Sequence, residues 1–287
     1  MLGSNNFDLK SHKLVGKVKS AVSKTFYIDS YGNVLRERFQ QFKREFSETG
    51  LILSSRSTEL NGLDYSHYIF SYDEKFETVI QKFVRDTGLS EMYYIFRLDN
   101  KFRTVEKKLI IGESCASREV WFFDDENLTE SNVVYGPSGK IEKRIIGNYN
   151  SNEKITDLQI TGKNGDISIY KMTYIEPNTK ITKISDKNKE IKKFISETKD
   201  SCGNLLKYSE SGPAGVNFFS VTYKNFYNEN SLLKELICFE NDGKISYRRF
   251  FEYDKFKNIV CEKTYKLDKN SENILDKIIE TQYEYFE

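Results

Sequence analysis

Apolar and polar positions alternate along this chain in short runs that keep restarting. An aromatic strand end leads into an Asp/Asn/Gly/Lys turn, and a new β-branched run with alternating charges follows. The unit reads Phe70-Ser-Tyr-Asp-Glu-Lys-Phe-Glu-Thr-Val-Ile80, then Phe96-Arg-Leu-Asp-Asn-Lys-Phe-Arg-Thr-Val-Glu106, then Phe122-Phe-Asp-Asp-Glu-Asn-Leu-Thr-Glu130. It returns as Phe239-Glu-Asn-Asp-Gly-Lys-Ile-Ser-Tyr247 and Phe251-Glu-Tyr-Asp-Lys-Phe-Lys-Asn-Ile-Val260. A chain that restarts in this way is built from copies of one hairpin. Phe46, Phe70, Phe96 and Phe122 stand 24, 26 and 26 residues apart, which leaves two strands per interval. The pattern predicts an all-β fold with little helix: an extended, curled antiparallel β-meander built from repeated hairpins, over ~40 % strand against a usual 20–25 %.

Two segments compete with this reading. Leu35, Phe39, Phe42 and Phe46 fall at helical spacing, as do early residues of Ile274–Phe286. The repeat context assigns both to strands, with Gly32 and Gly50 as turn residues. Residues 1–13 read as a frayed or tag-like start, and 14–287 as one β-repeat domain with a bend or sub-boundary at 209–216. An open sheet of this kind exposes unpaired backbone groups on its first and last strands, Lys17–Ile28 and Ile274–Phe286. The last strand carries Tyr283, Tyr285 and Phe286 with few guarding charges, so it is the favoured partner-binding edge. The face around Tyr93, Tyr94 and Trp121 is the second candidate surface.

The motifs Phe70-Ser-Tyr72-Asp73 and Phe251-Glu-Tyr253-Asp254 resemble bacterial YD-repeat proteins of the Rhs type, in particular small stand-alone members. The opening Leu14-Val-Gly-Lys-Val-Lys-Ser20 is similar to the start of such chains. The Tyr-Asp pair drifts elsewhere to Leu98-Asp99, Phe123-Asp124 and Leu267-Asp268. The resemblance implies an extended, curling antiparallel sheet, which large relatives wrap around a toxin cargo. In physical terms, the Asp at a turn start accepts hydrogen bonds from backbone N–H groups two residues on, and the neighbouring aromatics cover the sheet.

Composition narrows the function without naming it. Hydrophobic residues make up 38 % and aromatics 14 %, which suits strands with one aromatic face and one wet face. The net charge of +1 lacks the basic excess of a nucleic-acid binder. No apolar run approaches the ~20 residues of a membrane-spanning helix, so no membrane insertion is expected. Without an apolar signal segment the chain reads as cytoplasmic; Met1-Leu2-Gly3-Ser4 also fits a vector-derived start, and a removed export signal would then place the protein in the periplasm or at the surface.

Catalytic chemistry finds little to stand on. The two histidines are His12, in the polar start, and His67, between tyrosines in a strand. No Gly-x-Ser-x-Gly elbow or phosphate-binding glycine loop is present. Asp124-Asp125-Glu126 reads as an acidic turn more readily than as a Ca²⁺ site. Cys115, Cys202, Cys238 and Cys261 read as free thiols, with Cys238 and Cys261 as the one pair that facing strands would bring together. The expectation is a non-catalytic β-repeat binding or scaffold protein, without cofactor or metal, engaging another protein. An immunity-type protein that neutralises a toxin and a carbohydrate-binding or carbohydrate-active protein are the alternatives.

Overall fold

The structure is a computed structural model; it describes residues 12–29, 31–60, 64–83, 92–152, 154–175, 178–213, 215–267 and 272–287. The frayed or tag-like start through residue 11, Asp268, and part of the turns at 176–177 and 268–271 lie outside them. The chain opens with β1 (Val18–Ile28), β2 (Val34–Phe46), β3 (Ile52–Thr58) and β4 (Asp64–Tyr72). There follow β5 (Thr78–Phe83), β6 (Met92–Leu98), β7 (Thr104–Ile111), β8 (Ser114–Asp124) and β9 (Thr129–Tyr135). Next come β10 (Ile141–Tyr149), β11 (Ile155–Gly162), β12 (Ile167–Ile175), β13 (Thr179–Asp186), β14 (Ile191–Lys199) and β15 (Leu205–Ser211). The last are β16 (Asn217–Tyr227), β17 (Leu233–Phe239), β18 (Ile245–Tyr253), β19 (Ile259–Leu267) and β20 (Asn273–Tyr285). The all-β expectation holds: the twenty strands form one antiparallel sheet, and the described residues contain no helix. Residues 34–46 are β2, because pairing with β1 and β3 overrides their helical spacing.

One turn design repeats. At Asp200 the backbone N–H donates to Asn204 O (2.8 Å), and Gly203 N–H donates back to Asp200 O (3.0 Å). The Asp200 carboxylate then accepts the N–H groups of Cys202 (3.0 Å) and Asn204 (2.9 Å). Asp29, Asp99, Asn150, Asp186, Asn228 and Asp254 take the same two bonds, so the side chain serves a donor four residues on as well as two. This is a type I turn followed by a left-handed residue, a three-residue hairpin loop whose twist suits antiparallel strands. Gly203 sits at φ 84°, whereas Phe102, Lys189, Ser231 and Lys257 take the same conformation with a Cβ. Left-handed backbone costs an L-residue about 1–2 kcal/mol, partly offset by glycine's greater chain entropy. Lys189→Gly should therefore stabilise the protein by roughly 1 kcal/mol, and a denaturation midpoint that stays put or falls would contradict this.

The strands group into two compact units. One contains Tyr72–Val79 and Tyr93–Thr222; the other contains β1 through Ser71, Ile80–Met92 and Tyr223–Glu287. The stretch 209–216 is a hairpin closed by Gly212 N–H to Val216 O (3.0 Å), and the units part at Thr222/Tyr223. In the second unit β1 lies between β2 and β20. The first and last strands are thus hydrogen-bonded to each other, and the exposed terminal edges expected of an open meander are not there. Among the described residues the buried apolar side chains are few, with Val18, Phe46 and Val79 the most enclosed.

Candidate functional site

In the first unit the register places a line of aromatics on one face. Glu119, Trp121 and Phe123 alternate down β8 and lie opposite Val134, Asn132 and Glu130 of β9. From Phe123 the row runs through Glu130, Gly147, Leu158 and Tyr170 to Ile184. Lys107 joins this face by pairing with Glu119 (3.3 Å), and its ammonium lies 4.8 Å from the Tyr94 ring and 6.0 Å from Phe96. Tyr94 and Trp121 therefore share a face, as expected, while Tyr93 points to the other one because side chains alternate along a strand. Further cross-strand pairs on this face are Lys180–Glu197 and Lys193–Glu210.

The opposite face is charged in mid-strand. Glu106 is almost covered and meets Arg118 (2.6 Å), Lys108 (3.3 Å) and Arg97 (3.9 Å). Burial pushes its carboxyl up, but Arg118 and Lys108 outweigh that and hold it below the usual carboxylate range. Arg144, Asp157, Lys171 and Lys183 continue this face on β10 to β13.

At one end of these strands the turns form a bonded network. Arg103 Nε donates to Asp99 (2.8 Å) and Nη1 to Asp125 (2.7 Å), with the guanidinium 4.0 Å from the Phe123 ring. Lys101 also donates to Asp125 (2.7 Å); Arg103 first, then Lys101, hold that carboxyl at about 2. Asp124 accepts from Asn127. Asp124 and Asp125 thus spend their carboxylates on neighbouring cations and amides. Beside it a cavity of about 200 Å³ is floored by Glu130, whose Oε2 accepts the Tyr149 hydroxyl at 2.6 Å. Tyr174 and Tyr253 reach back in a similar way to the carbonyls of Ile155 (2.9 Å) and Leu233 (2.8 Å). That long-range role of the strand-end tyrosines is not visible in a local motif.

Tyr283, Tyr285 and Phe286 are held inside the second unit. Tyr283 lies opposite Ala21 and Tyr285 opposite Val18, and Phe286 N–H donates to Lys17 O (2.9 Å). This corrects the edge expectation: β1 already occupies the hydrogen-bonding groups that a partner strand would need. Tyr285 stacks on Phe256 (4.3 Å), donates to Asp254 and accepts from Asn258 Nδ2 (2.8 Å). Burial, then the Asp254 bond, push its hydroxyl up to about 12.

His67 sits in β4 opposite Arg56. All four thiols are free, as expected, and the one conditional pair, Cys238 with Cys261, is not brought together, because β18 lies between their strands: Cys238 faces Tyr247 and Cys261 faces Glu252.

No family model and no curated protein matches this chain. Among solved structures, a porin-like protein from Bacteroides uniformis overlaps 94 % of this chain and 98 % of its own, at 8 % identity and a TM-score of 0.37. So loose an overlap carries no argument.

Proposed function

We propose that the chain is a non-catalytic β-repeat binding protein whose sheet closes into a barrel and whose aromatic face engages another protein. The observation that carries this reading is the shared face of Tyr94, Phe96, Trp121 and Phe123. Aromatics of this kind supply most of the energy at protein interfaces, and the neighbouring Lys107 is paired with Glu119. Closure is supported by the β1–β20 pairing, which leaves recognition to the faces and turns. The YD-repeat likeness belongs to the same proposal, since Tyr253 and Asp254 act in reach-back and turn bonding.

Both faces meet water or protein in this reading. Arg118, Arg144, Lys171 and Lys183 stand in mid-strand on the second face, and a cation facing lipid there would cost about 2–4 kcal/mol each. The non-catalytic part is supported by the acidic turn residues, whose oxygens are engaged by Arg103, Lys101 and Asn127.

Trp121 is the single tryptophan, so its emission reports directly on this face. A partner captured from the native cell should shift that emission. Trp121→Ala with Tyr94→Ala should weaken the complex by about 2 kcal/mol or more, roughly 30-fold. Full affinity in the folded double variant would reject the aromatic face as the docking surface.

A further inference from the structure

Three neighbouring turns of the first unit carry large apolar residues where the backbone favours glycine. Phe76, Phe102 and Leu128 stand at φ 56°, 59° and 52°. Left-handed backbone strains any residue that has a Cβ. Elsewhere among the described residues the left-handed positions hold glycine, lysine or serine. The three apolar side chains gain little burial in return, for they remain 41 %, 56 % and 37 % exposed. Strain that is kept without burial marks residues held for something other than the stability of the fold.

The sheet sets these residues in a row. Strands β4 to β9 are consecutive neighbours, so the turns β4–β5, β6–β7 and β8–β9 fall at one end, two strands apart. Bonds fix the turns to one another: Leu98 N–H donates to Glu77 O (2.8 Å), and Lys101 and Arg103 both reach Asp125 (2.7 Å). All three turns belong to the first unit. Adjacent strands stand about 4.8 Å apart, which spaces the apolar tips by about 10 Å. An extended peptide repeats a face every ~7 Å, whereas an α-helix returns to one after seven residues, about 10.5 Å on. The row is also acidic. Segments 73–77, 99–103 and 124–128 carry seven carboxylates against three cations, and the next turn, 150–154, adds one of each sign. Glu74, Glu77 and Glu126 are exposed beside the apolar tips.

We propose that this row docks a basic amphipathic helix of another protein, with one apolar residue per heptad against Phe76, Phe102 and Leu128 and basic residues against the glutamates. The acidic charge repels an anionic lipid surface, and it repels a second copy of the same row. It complements lysine and arginine. The row works independently of Tyr94 and Trp121, so it is a second docking surface beside the aromatic face.

The probe is a synthetic peptide of about three heptads, with leucine once per heptad, lysines beside it and alanine elsewhere. In amide NMR of the full chain it should move the signals of Phe76, Phe102 and Leu128 and leave those of Tyr94 and Trp121 in place. The same peptide with glutamate for lysine should bind roughly tenfold or more weakly. Phe76→Gly, Phe102→Gly and Leu128→Gly together should weaken the lysine peptide by roughly tenfold or more. The denaturation midpoint of this triple variant should hold or rise, because glycine relieves the left-handed backbone. The proposal is overturned if the peptide moves none of the three signals, if it moves Tyr94 and Trp121 instead, or if the triple variant binds it like the parent. A midpoint that falls in the triple variant also overturns it, since the side chains would then serve the sheet itself. Two further results do the same: phosphatidylglycerol vesicles that bind the parent and not the triple variant, and a dimer in sedimentation that the triple variant loses.

Discussion

Deleting Tyr283–Glu287 should destabilise the protein by on the order of 5 kcal/mol, read as a fall in the denaturation midpoint. The five residues do not form a loose edge. Tyr283 donates to Ile259 O (3.0 Å), Tyr285 stacks on Phe256 and bonds Asp254 and Asn258, and Phe286 ties its backbone to Lys17. Removing them uncovers Val18, which is fully buried, and Ala21, which is 6 % exposed. Each large side chain taken out of a packed site costs about 1.5–3 kcal/mol, and each buried polar partner left unmet about 1–3 kcal/mol. Against a total stability of about 5–15 kcal/mol this is a large fraction. A truncated protein that unfolds at the parental midpoint would show that β20 is held without its end.

Asn258→Ala should cost about 2–3 kcal/mol. Its side chain is 3 % exposed and makes three bonds of 2.8 Å. Oδ1 accepts Val15 N–H, while Nδ2 donates to Val15 O and to the Tyr285 hydroxyl. Alanine leaves both backbone groups of Val15 and the tyrosine short of a partner in a partly closed site. Hydrogen exchange at Val15 should accelerate together with the loss of stability. Combining the change with Tyr285→Phe should cost less than the sum of the two single changes, because the residues share one network. Strict additivity would mean that they act separately.

Local chemistry carries most of the fold in the sequence. Many of the turns announce themselves through Asp or Asn at the first position, although others start on Ser47, Gly136, Gly162, Gly212 or Glu240, and the strands through period-two alternation, so β2 is recoverable even though Leu35, Phe39, Phe42 and Phe46 also fit a helix. The face shared by Tyr94 and Trp121 follows from the same alternation, which also separates Tyr93 from them. The β1–β20 pairing leaves no local trace, because its partners lie at opposite ends of the chain, Ser23 and Thr281 standing 258 positions apart. Tyr283 and Tyr285 look like an unguarded edge only while Ala21 and Val18 are out of view.

The β1–β20 pairing also orders events in time. The hairpins close loops of about ten residues, each for a modest loss of chain entropy. Joining Ser20 to Glu284 closes a loop of 264 residues, which costs roughly 3 kcal/mol more than a hairpin does. Folding should therefore run through the local hairpins first and reach this junction late, and thermal opening should begin where assembly ended. Asn258, Asp254 and Tyr285 then act as a latch on the slowest step: they add little to the speed of folding and much to the lifetime of the folded state.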